Sequence, residues 1–231
     1  MATEIAAIIF DLDGVIIDSN PEIERFWLGW AHQEGFTISK AEIRDAIHGR
    51  KGIETIELLF HASSKDTKKA IIDSAKVFDS HMQPSLVKGI DTLIQQINLL
   101  GIPTGIVTSS HFSRMKKMLD LHQLFESFAF FITAEDVLKG KPDPEPYRKM
   151  QEKLQVPAST CLVFEDAISG IQSAKAAGMQ VIGILGEHTL PNDLLQHGAA
   201  EVTNHYQDII LSSGKMAITD DLVFTFNQSG R

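Results

Sequence analysis

The sequence predicts an α/β fold: a parallel sheet with helices on both faces and a small all-helical segment inserted after the first strand. Three observations predict it. Short apolar runs end in polar residues, as Ile8-Ile9-Phe10 does in Asp11-Leu12-Asp13, the pattern of buried strands delivering side chains to one edge. From residue 86 onward such runs alternate with helical patterns, which argues for βαβ units and parallel pairing. Between residues 21 and 84 the periodicity is helical, with no convincing buried strand.

Residues 1–5 are read as leading straight into the first strand, and they lack the basic region and long apolar core of a secretion signal. In the insert, Ile23, Phe26, Trp27 and Trp30 recur at helical spacing. Residues 19–85 are assigned to this helical cap, hanging over the carboxyl edge of the sheet on hinges near residues 15–20 and 84–88. Residues 1–18 and 86–231 form the core. The next helix, residues 89–100, carries Ile90, Leu93, Ile94 and Ile97 and is stopped by Gly101. A strand over residues 105–107 then runs into Thr108-Ser109-Ser110, and helices are expected over 113–121 and 144–154. The run 161–164 ends in Glu165-Asp166, and 181–184 reads as a further buried strand. Residues 209–231 are expected to give an edge strand over 222–226 and a fraying tail.

A chain of 231 residues with 43% hydrophobic content buries a substantial core without disulfide staples. Its single cysteine, Cys161, lies in an apolar run, so it reads as a buried strand residue of a protein in a reducing cytoplasm. No apolar run approaches the roughly 20 residues that span a bilayer. The net charge of -9 disfavours nucleic acid and anionic membranes as partners. The expectation is a cytoplasmic protein, monomeric or weakly dimeric, whose phosphate site needs local cations.

Four groups fall at strand ends that a parallel sheet brings together: Asp11 with Asp13, Thr108 with Ser109, Lys141, and Glu165 with Asp166. Each has an ordinary reading by itself. Asp-Gly ends strands, Asp before a helix caps it, and loop lysines are usually solvated. Together they are chemically complementary. Carboxylates from two strands suit Mg²⁺, which also takes a phosphate oxygen, while a hydroxyl and Lys141 accept the remaining oxygens. Asp11 is placed to attack phosphorus, giving an aspartyl phosphate. Asp13 serves as acid toward the leaving oxygen and then as base toward water.

The segments Asp11-Leu12-Asp13-Gly14-Val15, Val107-Thr108-Ser109-Ser110, Lys139-Gly140-Lys141-Pro142-Asp143-Pro144 and Val163-Phe164-Glu165-Asp166-Ala167 resemble the four ordered motifs of haloacid dehalogenase superfamily phosphohydrolases. The resemblance covers nearly the whole chain. It implies a Rossmann-like core and a helical cap, with Asp11 as nucleophile, Asp13 as acid/base and metal ligand through its carbonyl, and Asp166 as second carboxylate ligand. It further implies that Glu165 holds a metal-bound water, that Thr108 or Ser109 binds the phosphoryl group, and that Lys141 balances charge. Asp18 is expected to stabilise the flap beneath the cap.

Asp13 stands where dehalogenases of this superfamily carry another residue. The first motif runs on through Ile16-Ile17-Asp18, and β-phosphoglucomutase-like members typically have a histidine five residues after that last Asp, where this chain has Ile23. The turn around Arg50 and Lys51, read as contacting substrate beyond the scissile phosphate, is similar to that of fungal glycerol-3-phosphate and 2-deoxyglucose-6-phosphate phosphatases. The expected activity is therefore Mg²⁺-dependent hydrolysis of a small phosphorylated sugar or polyol. A sugar phosphomutase and a non-enzymatic phosphate-binding regulator are the alternatives. No histidine is assigned to a metal.

Overall fold

The computed structural model describes residues 3–212 and 214–226. Strand β1 (Thr3–Ile5) is followed by β2 (Ala7–Phe10), and helices α1 (Asn20–Gln33) and α2 (Lys40–Glu42) come next. A π-helical stretch, Ile43–Ile47, leads to α3 (Gly52–Leu59), α4 (Lys65–His81) and α5 (Ile90–Leu99). Then follow β3 (Thr104–Val107), α6 (Phe112–Leu121), β4 (Phe130–Ile132), α7 (Glu145–Leu154), β5 (Cys161–Glu165), α8 (Ile168–Ala176) and β6 (Gln180–Ile184). The chain continues through α9 (Pro191–Gln196), β7 (Glu201–Thr203), β8 (Ile210–Ser212), β9 (Lys215–Ala217) and β10 (Val223–Phe226).

Six strands form one parallel sheet in the order β4-β3-β2-β5-β6-β7. The period of two in β2 sorts its side chains to opposite faces. Ile8 and Phe10 join Ile94 and Ile97 of α5 and Met115 and Met118 of α6 in one core cluster. Ala7 and Ile9 join Met150 of α7 and Ile171 of α8 in a second. Helices thus cover both faces, as parallel sheets require. Cys161 is buried in β5, and burial pushes its thiol up to about 11.

Helices α1 to α4 surround a third cluster of their own, built on Trp27, Ile56, Phe60 and Ile71. The two connections that join them to the rest run side by side. Ile17 bridges Leu86 in antiparallel fashion, the Asp18 amide donates to the Ser85 carbonyl at 2.9 Å, and the Val87 amide donates to the Ile16 carbonyl at 2.9 Å. The Asp18 side chain is exposed and makes no hydrogen bond among the described residues.

The ends of the chain depart from expectation. Strand β1 does not continue into β2; it breaks at Ala6 and pairs in parallel with β10 in a second sheet of order β1-β10-β9-β8. Strand β10 is therefore no edge strand, because β1 and β9 flank it on both sides. The physical reason is local: Gly214, at φ 74°, joins β8 and β9 as an antiparallel pair, and β10 extends it. The expected tail over residues 227–231 lies outside the described residues. Among the described residues no helix is long and apolar enough to cross a membrane.

Candidate active site

The carboxyl ends of β2, β3 and β5 meet at one edge. The Asp11 amide donates to the Phe164 carbonyl at 3.0 Å, which brings the end of β2 level with that of β5. Gly14 closes the turn after Asp11 at φ +75°, and a Cβ there would stand 2.0 Å from Asp166 Oδ2. Only glycine lets the backbone come this close to that carboxylate.

Asp11, Glu165 and Asp166 offer carboxylate oxygens within 4.8 Å of one another, all buried. The Lys141 ammonium, 1% exposed, donates to Asp11 Oδ1 at 2.8 Å, to Glu165 Oε1 at 2.5 Å and to the Val107 carbonyl at 3.1 Å. Tyr147 Oη donates to the same Glu165 oxygen at 2.8 Å, and the Ala167 amide donates to Oε2 at 3.2 Å. Both Glu165 oxygens are thus engaged. Asn20 Nδ2 donates to Asp166 Oδ2 at 2.7 Å.

Three carboxylates against one ammonium leave a buried excess of negative charge. Burial raises Asp11 well above its usual range; Lys141 opposes the shift, and the neighbouring acids reinforce it. Burial and the Glu165 charge push Asp166 up to about 8. Burial works against the Lys141 charge, but Asp11 and Glu165 outweigh it and raise its pKa. The set is all oxygen, as Mg²⁺ prefers, and it carries more negative charge than Lys141 alone balances. On both counts the residues fit a hard divalent cation.

The Asp13 carboxylate does not join this cluster. Arg114 of α6 grips it through both terminal nitrogens, Nη1 to Oδ2 and Nη2 to Oδ1 at 2.8 Å each. Ser110 Oγ donates to Oδ2 at 3.0 Å, and Ser19 Oγ donates to Oδ1. Burial would raise Asp13, but the Arg114 charge and these hydrogen bonds outweigh it and hold the group below its usual range. Arg114 Nε also donates to Asp79 Oδ1 at 3.0 Å. One guanidinium therefore links Asp13 to helix α4.

The remaining expected residues sit at the contact between the helical segment and the sheet. Ser109 Oγ donates to the Gly49 carbonyl at 2.8 Å, whereas Thr108 Oγ1 accepts from the Ser110 amide at 3.1 Å. Arg50 donates to the carbonyls of Asp45 at 3.2 Å and Lys141 at 3.4 Å. Lys51 Nζ donates to the carbonyls of Ala134 at 2.9 Å and Val137 at 3.0 Å. A cavity of about 520 Å³ is lined by Asp11, Asp13, Thr108, Ser109, Arg50 and Lys51 among others. The structure thus gathers the expected residues at one edge and its adjoining cavity, and it divides them into a buried quartet and an outlying Asp13.

Sequence reasoning missed Arg114, Asp79, Asn20 and Tyr147. Arg114 leaves a readable trace, because it shares the buried stripe of α6 with Met115, Met118 and Leu119; a charge on an apolar stripe calls for a partner. It also missed that Glu24 on α1 binds His48 Nε2 and, across to the loop after β6, His188 Nε2, each at 2.9 Å. Among the described residues these three do not form a metal-ligand set.

A family model described as haloacid dehalogenase-like hydrolase matches residues 8–184. Hexitol phosphatase A of Escherichia coli is 31% identical over 207 residues, spanning 84% of this chain and 92% of that protein. Glycerol-1-phosphate phosphohydrolase 2 of Saccharomyces cerevisiae is 29% identical over 98% of this chain and 92% of its own length. The crystal structure of a HAD hydrolase, family IA, variant 3, from Entamoeba histolytica superposes with a TM-score of 0.75 at 30% identity, covering 90% of this chain and 96% of that one.

Proposed function

Because this chain belongs to the haloacid dehalogenase-like hydrolase family and is a phosphoric monoester hydrolase, we propose that it hydrolyses a small phosphorylated sugar or polyol through an aspartyl phosphate on Asp11, with Mg²⁺ as cofactor. The observation that carries this reading is the buried cluster of Asp11, Glu165 and Asp166 with Lys141 between two of its members. Structural carboxylates rarely gather in such excess, and here the excess stands beside a cavity. Perturbed acids in a cleft are the mark of a functional site. The relatives named as a hexitol phosphatase and a glycerol-1-phosphate phosphohydrolase support a substrate of the sugar and polyol class.

Asp11 and Asp166, with the Asp13 carbonyl, would hold the cation. Bound there, Mg²⁺ supplies positive charge to the phosphoryl oxygens. Glu165, with both oxygens engaged, fixes the Lys141 ammonium against Asp11. An Asp11 oxygen attacks phosphorus as the bond to the alcohol oxygen breaks, and that oxygen takes a proton from Asp13. Water then attacks phosphorus and gives a proton to Asp13, and the bond from phosphorus to Asp11 breaks to release phosphate. The ion pair with Arg114 holds Asp13 ionised, the state that the water step needs; the first step needs Asp13 protonated, and so begins with this carboxyl carrying a proton and released from the Arg114 grip. Thr108 or Ser109 binds the phosphoryl group and Arg50 the alcohol, while Lys51 fastens the turn that carries Arg50. Residues 19–85 act as the cap and residues 1–18 and 86–231 as the catalytic core, and contact between the two excludes bulk water.

Phosphate release from a panel of glycerol, hexitol and hexose phosphates, with and without Mg²⁺, tests the reading. Mg²⁺-dependent release that vanishes in Asp11→Asn is expected. Turnover retained in that variant, or conversion of β-glucose 1-phosphate on addition of a sugar bisphosphate with no phosphate release, would overturn it.

A further inference from the structure

Beyond the acids, the cavity changes character. Its far wall is carbon from α1, α3 and α4: Phe26, Trp27, Ile53, Ile56, Ile72 and Phe78. Ile53 is 53% exposed and Ile72 37% exposed, so apolar surface faces the opening with nothing against it. The charged groups on the lining are, by contrast, all engaged by the protein. Asp11 pairs with Lys141, and Asp13 and Asp79 share Arg114. His48 binds Glu24, Lys76 pairs with Asp73, and His111 pairs with Glu135. Lys51 Nζ is held by backbone carbonyls, and Arg50 by two through Nε and Nη1, so that only its Nη2 is left for the alcohol beside the phosphate.

This distribution discriminates among alcohols. A polyol with a hydroxyl on every carbon would set its far hydroxyls against Phe26, Ile53 and Phe78, where a hydroxyl stripped of water and given no partner is costly. An alcohol with an apolar far end instead covers the exposed faces of Ile53 and Ile72 and gains from their burial. We propose that the cap carries an apolar subsite and that the substrate is a sugar or polyol phosphate whose end remote from phosphorus is apolar: deoxygenated, alkylated or aromatic. The occupant is a portion of the substrate and not a separate partner, because the same cavity is continuous with Asp11 and Asp13. The inference rests on the phosphatase reading above and narrows its substrate class.

The test is kcat/KM for glycerol 1-phosphate, sorbitol 6-phosphate and the butyl, pentyl and hexyl phosphates, in the native chain and in Ile53→Asp and Ile72→Asp. A rise of about threefold per added methylene is expected, with hexyl phosphate above both polyol phosphates. Each variant is expected to cut the ratio of hexyl to glycerol 1-phosphate kcat/KM by about tenfold, and any loss of folded protein cancels in that ratio. A flat or falling alkyl series beneath active polyol phosphates overturns the subsite and leaves the phosphatase reading standing. No release from any ester overturns both. A rising series whose ratio neither variant moves, or variants that alter only the elution volume on size exclusion, overturns the assignment to this wall.

Discussion

Replacing Arg114 by methionine removes the one cation that Asp13 and Asp79 share. Arg114 is 8% exposed, and both of its terminal nitrogens bind Asp13 at 2.8 Å. Deleting one partner of a buried pair strands the other charge and costs about 3–5 kcal/mol. The Asp79 arm adds little, because that carboxylate is 36% exposed and such pairs contribute about 0.2–1 kcal/mol. Asp13, at 18% side-chain exposure, sits between these limits, so Arg114→Met is expected to cost about 3–4 kcal/mol. For a chain of this size that lowers Tm by about 10 °C. The assay is urea unfolding of the native chain, Arg114→Met, Asp13→Asn, Asp79→Asn and the two doubles, analysed as double-mutant cycles. Coupling of about 2–3 kcal/mol to Asp13 and under about 1 kcal/mol to Asp79 is expected. Asp13 titrates below its unfolded value of about 3.9, so its contribution is complete above that pH and fades as acid protonates the folded form. Equal couplings to the two acids, or a total loss under about 1 kcal/mol, would refute the reasoning.

The buried quartet yields further expectations. Asp166 is raised to about 8, so in chelator the folded state loses stability as pH climbs from about 4 toward that value. Asp166→Asn is expected to flatten this decline and to abolish the Tm gain from Mg²⁺; in thermal melts at several pH values, an unchanged decline in the variant contradicts the titration of Asp166, and an unchanged gain from Mg²⁺ contradicts the cation site. A Cβ on Gly170 would stand 1.9 Å from Glu165 Oε1, so Gly170→Ala displaces the carboxylate that steadies Lys141. A fall of about 100-fold in kcat is expected from initial rates, and near-native kcat contradicts the role given to Glu165. The Cys161 thiol, at about 11, is expected to react with Ellman's reagent only on unfolding; rapid full labelling of native protein contradicts its burial.

The parallel sheet and the meeting of the acids were legible because strand runs and edge residues adjoin in sequence. Phe10 precedes Asp11, Val107 precedes Thr108, and Phe164 precedes Glu165. The three-residue strands β1, β4, β7, β8 and β9 were not, since runs so short carry no period. Side-chain direction was also beyond reach. Asp11 and Asp13 share a motif, yet Asp13 turns to Arg114, 101 residues away, and no local pattern encodes that partner. Lys51 was read by its charge alone, whereas the carbonyls that hold it, those of Ala134 and Val137, carry no side-chain signature.

The pairing of Ile17 with Leu86 bears on how such a chain can be edited. Everything between those two residues leaves and returns at neighbouring points, so its ends meet whatever its length, and lengthening such a loop adds little closure entropy. The strand pairings lie wholly outside the loop, although Met82, Ile23 and Phe78 of the loop pack on the sheet's core cluster. A short turn spliced from residue 17 to residue 86, or a different helical bundle carried on the same two backbone rungs, would therefore keep the strands of the acid edge in register, at the loss of the Asn20, Ser19 and Asp79 contacts to Asp166, Asp13 and Arg114.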